Sequence, residues 1–319
     1  MDQVNVIGFM ALNFFTSVAI IWTNKLAYIS GFVFATTLTV IHFLFTFWGL
    51  FIASNARFRL FERKRIPILH VMPISLAFCG FVVFNNLSLQ HNPVGTYQLL
   101  KVLTTPTIVL IQYICYDTRL PTIQIISLVP VCVGVIIATV SSLEANWKGS
   151  LFGVAGIAST SVYQIWVKTE LGRLQCTSEQ LLFYQAPLSA FLLLVSLPVT
   201  EKLDELISGD WISLAAIWWT VTSSVLAFLV NLSIFLVIGK TSPVSYNVLG
   251  HGKLCVILIS GYVFFGEECN IRNIIGVVLA VGGIVWYTHL KLMENKHVPV
   301  SGSAKPEEKE PLTSDSVKE

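Results

Sequence analysis

The sequence predicts an all-α membrane protein of ten transmembrane helices, arranged as two inverted five-helix repeats with both termini in the cytosol. Composition is the first of three observations behind this prediction. Hydrophobic residues make up 54% of the 319-residue chain, charged residues make up 12%, and the mean hydropathy is +0.73. A soluble domain has about a quarter of its residues charged, so most of this chain is expected to face lipid. The other two observations are recurrent apolar segments and the distribution of basic residues.

Apolar segments long enough to cross a bilayer recur along the whole chain. A span of roughly 20 residues covers a hydrocarbon core about 30 Å thick. The first segment has no basic region before it and no small-residue cleavage site after it, so we expect a retained helix rather than a signal peptide. The ten predicted spans lie near residues 4–23, 32–53, 68–89, 94–115, 121–140, 150–168, 179–199, 212–238, 243–265 and 272–290.

The basic residues in the loops favour a cytosolic N-terminus. With that orientation eleven Lys and Arg residues lie on the cytosolic side and four on the opposite side, in line with the positive-inside rule. Residues 1–290 are predicted to form the ten-helix domain, and the polar residues 291–319 a disordered cytosolic tail. The eleven are Arg57, Arg59, Arg63, Lys64, Arg65, Arg119, Lys168, Arg173, Lys240, Lys291 and Lys296, and the four are Lys25, Lys148, Lys202 and Arg272.

Two lysines are the only charged residues at the predicted hydrocarbon depth. Lys101 lies in the fourth span and Lys253 in the ninth, the penultimate helix of each predicted half, residues 4–140 and 150–290. At about 1.5 Å per residue from the proline that opens its helix, each lysine is roughly 12–15 Å deep. Both halves also repeat the order Asn-Leu-Ser, Pro-Val, Tyr and Lys. Because five is an odd number, the second half is inverted, as in many secondary transporters that bind substrate at the midplane.

These lysines predict an anionic substrate. A lysine at a helix centre opposes membrane insertion by about 2.5–3.5 kcal/mol, so it is expected to face a cavity and mark a substrate path. Two ammonium groups about 4 Å apart repel by about 4 kcal/mol at an effective dielectric near 20, and a dianion such as a phosphate ester removes that repulsion. Since a bound anion would also lower the barrier to a change of access, we expect exchange against a counter-anion.

Polar residues in the same spans are further candidates for the substrate path. They lie within two turns of one of the lysines, or in the second and eighth spans. Packing and interhelical hydrogen bonding are the alternative roles for each of them. The candidate substrate-binding residues are Lys101, Lys253, Tyr97, Thr104, Thr105, Tyr246, Asn247, His251, His42 and Asn231.

No motif in the sequence indicates an enzyme. HExxH, GxSxG and paired intramembrane aspartates do not occur, and the six cysteines are scattered without CxxC spacing. We therefore expect no metal, no cofactor and no nucleic acid. The expected partners are a phosphorylated small molecule, its counter-anion and the lipid bilayer, and the sequence leaves the oligomeric state open.

These features resemble a known family. Thr23-Asn24-Lys25 after the first span, His42-Phe43 in the second and the two mid-helix lysines are similar to the triose-phosphate translocator group of solute carrier family 35, in the drug/metabolite transporter superfamily. The segment from Phe78 to Leu99 resembles the E subgroup of that family. The resemblance covers about residues 5–290.

The resemblance implies alternating access and strict exchange of phosphate for a phosphorylated sugar or three-carbon acid. It also implies that Lys101 and Lys253 hold the phosphate. This sequence departs from the family pattern at Leu254, where an arginine is expected, at Val230, where a tyrosine is expected, and at Pro106, which falls one residue late. A bidentate arginine is not replaced by leucine without a change in what is bound.

The sequence thus predicts a secondary transporter that exchanges a sugar phosphate or related organic phosphate against phosphate. Two alternatives stay open, a nucleotide-sugar/nucleotide monophosphate antiporter and a non-transporting membrane scaffold or receptor. The resemblance and the missing leader predict a multi-pass endomembrane protein, with the Golgi as the expected compartment.

Overall fold

Helices account for all regular secondary structure in the part of the chain that the structure describes. The computed structural model describes residues 2–55, 57, 59–92, 100–139, 146–209, 211–265 and 271–297. The helices are α1 (Asp2–Ile29), α2 (Ala35–Ala53), α3 (Ile68–His91), α4 (Thr104–Tyr116), α5 (Thr122–Thr139), α6 (Trp147–Arg173), α7 (Ser178–Thr200), the short α8 (Leu203–Ser208), α9 (Leu214–Lys240), α10 (Pro243–Phe265) and α11 (Ile271–His297). The all-helical prediction is confirmed.

The length and composition of these helices suit a multi-pass membrane protein. Within the described residues six helices are long and apolar enough to cross a bilayer, namely α1, α2, α3, α6, α7 and α9. Shorter apolar helical segments cover residues 100–116, 122–137 and 274–290. Large apolar side chains face outward, for example Phe191, Leu194 and Val195 on α7. Such a surface is stable in lipid, where helices satisfy their own backbone hydrogen bonds.

Several helix boundaries differ from the prediction, among them the ends of α1 at Ile29 and of α6 at Arg173. Where a span over 94–115 is predicted, the helix is interrupted by a turn at Leu103 and α4 begins at Thr104. Pro106 causes this break, because it has no N–H to donate to the carbonyl of Val102. At the other end of the chain α11 continues to His297, past the predicted start of the tail, since the sequence after residue 290 favours a helix until Pro299. Residues 298–319 lie outside the described residues.

The helices pack in pairs. α3 lies along α6, α1 along α9, α5 along α11, and α2 along α7. Glycines permit the closest approaches: a Cβ added at Gly134 in α5 would lie 2.4 Å from the backbone nitrogen of Ala280 in α11. The main apolar core lies among α2, α3, α6, α7 and α9, where Phe43 and Phe78 are buried with ring centroids 4.6 Å apart. This packing fixes α1, α9 and α10 around the polar groups described next.

Candidate functional site

Lys253 is buried where α10 meets α1 and α9. Only 7% of the residue is exposed, and its ammonium group donates to Oδ1 of Asn13 and to Oγ of Ser17, 3.1 Å away, both on α1. Asn13 is fully buried, and its amide nitrogen donates to Oγ of Ser233 on α9 at 2.9 Å. Lys253 therefore joins three helices through neutral acceptors.

No carboxylate among the described residues balances the charge of Lys253. The ring of Tyr246 lies nearby, with its centroid 5.2 Å from Nζ, a distance at which the ring face attracts a cation. Amide and hydroxyl dipoles offset only part of the cost of removing an ammonium group from water. An anionic group would offset more of it, so this site is suited to receive a phosphate in exchange for the bonds to Asn13 and Ser17.

Sequence reasoning missed Asn13 and Ser17. An amide and a hydroxyl one turn apart inside the apolar first span are the signal that could have identified them. Nothing in the sequence pairs α1 with α10, however, because Asn13 and Lys253 are 240 positions apart. Their contact depends on helix packing.

His251 and Asn247 link α10 to other helices. Nε2 of His251 lies 2.9 Å from Oγ1 of Thr105 on α4, and both residues are buried, as is Thr104. The amide nitrogen of Asn247 donates to Oε1 of Gln164 on α6. In this conformation these candidates form interhelical hydrogen bonds. The structure therefore joins Thr105 and His251, two residues that the sequence placed near different lysines.

His42 and Asn231 belong to a second polar cluster, between α2 and α9. Nε2 of His42 lies 3.0 Å from Oγ of Ser223. The amide of Asn231 donates to Oγ1 of Thr46 at 3.0 Å, and Thr46 donates to the carbonyl of His42 at 2.8 Å. The described hydrogen bonds do not connect this cluster to Lys253.

Lys101 and Lys253 have different surroundings in this structure. Lys101 is exposed, whereas Lys253 faces α1. At about 100° per residue, positions 251 and 253 point some 200° apart around α10, so the face that meets α4 through His251 is not the face that carries Lys253. A site shared by the two lysines stays a prediction. Tyr97 lies outside the described residues.

Comparisons with known proteins agree on one family. The Triose-phosphate Transporter family profile matches residues 4–288. The chain is 37% identical to UDP-xylose transporter 1 of Arabidopsis thaliana, over 95% of this chain and 89% of that protein. It is 32% identical to UDP-rhamnose/UDP-galactose transporter 1 of the same plant, over 99% and 91%. It is 24% identical to GDP-fucose transporter 1 of Dictyostelium discoideum, over 90% and 81%.

The fold also occurs in an experimentally determined protein. A solved crystal structure superposes on this one with a TM-score of 0.72, covering 89% of this chain and 99% of the solved chain. Sequence identity across the superposition is 17%, so the similarity concerns the helical architecture alone.

Proposed function

The chain belongs to the triose-phosphate transporter family, and from this premise we propose that it exchanges a UDP-sugar for a nucleoside monophosphate across an endomembrane. The observation that carries the proposal is the 37% identity to a UDP-xylose transporter along nearly the whole chain. The comparisons favour this alternative over the exchange of a sugar phosphate against phosphate that the sequence favoured. They identify a transporter rather than an enzyme.

Triose phosphates and nucleotide sugars share the phosphate group that the lysines are proposed to bind. A mid-membrane ammonium responds to phosphate charge, which triose phosphates and nucleotide sugars both carry, so it does not distinguish them. Leu254 in the position of the expected arginine is consistent with a substrate other than triose phosphate, because a planar bidentate clamp is lost. The lysines therefore support a phosphorylated substrate, and the relatives favour a nucleotide sugar over a sugar phosphate.

The contacts of Lys253 support a mechanism for exchange. In this structure Asn13 and Ser17 hold the ammonium group through neutral dipoles. In our proposal the diphosphate of the substrate replaces these acceptors, separates α1 from α10 and neutralises the buried charge. Because the unneutralised charge opposes passage through the occluded state, the return step requires a counter-anion. Lys101 supplies a second positive charge in another conformation of the same cycle.

The proposed topology has ten spans in two inverted repeats, with both termini cytosolic. Helix pairing supports it: if α1–α5 correspond to α6, α7, α9, α10 and α11, the α3–α6 contact matches α1–α9, and α2–α9 matches α3–α7. Contacts near the helix ends also agree with a protein that has a basic, cytosolic side and an opposite side. Lys64 donates to the carbonyl of Leu174 on the side with more basic residues, and Glu201 accepts from Thr37 on the acidic side. A Golgi location is part of the proposal.

Exchange in proteoliposomes tests the proposal. The purified protein is reconstituted into liposomes preloaded with uridine monophosphate, and uptake of labelled UDP-xylose, UDP-galactose, GDP-fucose, triose phosphate and phosphate is timed. We expect trans-stimulated uptake of a UDP-sugar, reduced at least tenfold in Lys253→Gln and in Lys101→Gln. Lys148→Gln, an exposed cation at the start of α6, is the matched control and should retain uptake.

Other results would change the assignment. Exchange of triose phosphate or phosphate without any UDP-sugar would restore the sugar-phosphate interpretation. Uptake that is equally fast in empty liposomes would contradict obligatory exchange. The absence of uptake for every compound, in a sample with a normal melting temperature, would favour the scaffold or receptor alternative.

A further inference from the structure

A cavity separate from the Lys253 cluster lies at the face of the protein that carries Lys64 and Arg173. Its volume is about 550 Å³, and it is enclosed by the start of α1, the end of α6, the start of α7 and the end of α9. Small-molecule sites range over about 300–1,000 Å³, so the cavity has room for a ligand. Phe9 lines it, one helical turn before Asn13, and thus the cavity extends towards the Lys253 cluster without including it.

The charges that line this cavity have a positive surplus. Lys168 and Lys240 both line it, and Glu179 is the one carboxylate among its described lining residues. Lys168 is half-buried and donates to the carbonyl of Gly239 at 2.5 Å, which leaves two of its three N–H donors for other acceptors. Lys240 is exposed and forms no ion pair with any residue that the structure describes.

Stabilisation of helix ends explains only part of this arrangement. A lysine beside the last turn of a helix interacts favourably with the carbonyls there, and Lys168 makes such a bond to Gly239 at the end of α9. That role needs neither a cavity of this size nor a second cation beside the first. The N-terminal end of the 23-residue α7, with its positive helix dipole, lines the same cavity. Two lysines and a helix N-terminus therefore converge on one half-open cavity.

We propose that this cavity is a phosphate-binding site, distinct from Lys253, in which Lys168 and Lys240 hold the phosphate group of a nucleotide or of a lipid headgroup. Both sources present the same charged oxygens to the lysines. The inference goes beyond the proposed function, because it does not depend on which substrate the protein carries. Its position one turn from Asn13 makes it the first contact for an anion that approaches from this face.

Gly172 provides a steric test that leaves both lysines in place. It lines the cavity, and a Cβ added there meets no other atom within 4 Å. The Cβ of Gly172→Leu therefore meets no other atom, and the rest of the leucine side chain is expected to fill part of the cavity. Arg173→Gln is the matched control, since Arg173 is an exposed neighbour that pairs with Glu170 and does not line the cavity.

The experiment measures binding to the full-length protein by thermal shift. Pyrophosphate is titrated into the purified protein in detergent, and the midpoint concentration is compared among variants. We expect Lys168→Gln and Lys240→Gln each to weaken binding about tenfold, because each removes a charge-assisted contact. Measured in the Lys253→Gln background, which removes the other phosphate site, Gly172→Leu should abolish binding, Glu179→Gln should strengthen it, and Arg173→Gln should leave it unchanged.

Two further arms separate the site from Lys253 and identify the source of the phosphate. The pyrophosphate response should persist in Lys253→Gln; its loss there, with normal binding in the Lys168, Lys240 and Gly172 variants, would overturn the proposal.

Nanodiscs of phosphatidylcholine with and without phosphatidylinositol 4-phosphate test the headgroup. Stabilisation by that lipid alone, lost in the Lys168 and Lys240 variants, assigns a lipid, whereas a response to pyrophosphate alone assigns a soluble anion. A response to neither overturns the proposal.

Discussion

At the scale of single residues, the proposed exchange mechanism depends on the neutrality of Asn13. A buried ammonium group held by an amide and a hydroxyl has no compensating negative charge beside it, so an arriving anion has an electrostatic advantage over the resident acceptors. A carboxylate in the same place would remove that advantage. This difference can be tested with a substitution of nearly equal volume.

Asn13→Asp is expected to retain the fold and to lose exchange. The new carboxylate would pair with Lys253, so the substrate phosphate would no longer find an unneutralised charge. Uptake into preloaded liposomes should fall at least tenfold, while the melting temperature in detergent, the control measurement, stays near that of the native protein. Unchanged uptake in this variant would show that Lys253 does not contact the substrate.

At the scale of helices, the start of α2 depends on a carboxylate from the end of α7. Its N-cap position, Phe34, has no side-chain acceptor for the first N–H groups of the helix. Glu201 takes this role: it accepts from the backbone N–H groups of Thr36 and Thr37 and, at 2.5 Å, from the hydroxyl of Thr37. A negative charge is favourable at a helix N-terminus, so Glu201 joins α7 to α2 on the acidic side of the protein.

Glu201→Ala is expected to destabilise the protein by about 1 kcal/mol, the typical cost of a lost N-cap. Glu205→Ala is the matched control in the same loop. Its carboxylate pairs with the exposed Lys202, and such surface pairs contribute between about 0 and 1 kcal/mol. Unfolding monitored by intrinsic fluorescence in detergent compares the two. Equal melting temperatures for both variants would contradict the capping role.

At the scale of the whole molecule, the two sequence halves are held together by direct helix contacts. The four main pairs, α3 with α6, α1 with α9, α5 with α11 and α2 with α7, each combine a helix of the first half with one of the second. Lipid tails are as apolar as leucine side chains, so the hydrophobic effect does not drive helices together inside the bilayer. Close packing must therefore stabilise these pairs. Positions where two backbones touch should therefore tolerate substitution least.

Two neighbouring glycines of α11 test this expectation. A Cβ at Gly283 would lie 2.8 Å from the backbone nitrogen of Val131 in α5, whereas a Cβ at Gly282 would meet nothing within 4 Å. Gly283→Ala should destabilise the protein by about 1–3 kcal/mol, because the helices must separate. Gly282→Ala should have a neutral or slightly favourable effect. Melting temperatures of the two variants give the comparison, and a greater loss for Gly282→Ala would contradict the packing described here.

Several features could be predicted from the sequence because they depend on local composition. Lengths of apolar segments determine helices, and the α10 boundaries at Pro243 and Phe265 match the predicted span. The break at Leu103 was harder to place, because the effect of Pro106 on a helix depends on whether neighbours satisfy the freed carbonyl. Lys253 was recognised as a buried charge, but neither its partners nor the separation from Lys101 follows from spacing along one helix.

The sequence by itself determined that this chain is an all-helical membrane protein with a costly charge inside it, since hydropathy and insertion cost are sums over neighbouring residues. Only the tertiary structure decided that Asn13 and Ser17 hold this charge. It also decided that His251 contacts Thr105 and not the residues around Lys253. The physical reason is that the side of a helix that meets each neighbour depends on how all the helices pack. That packing joins residues more than 200 positions apart, and no local pattern encodes it.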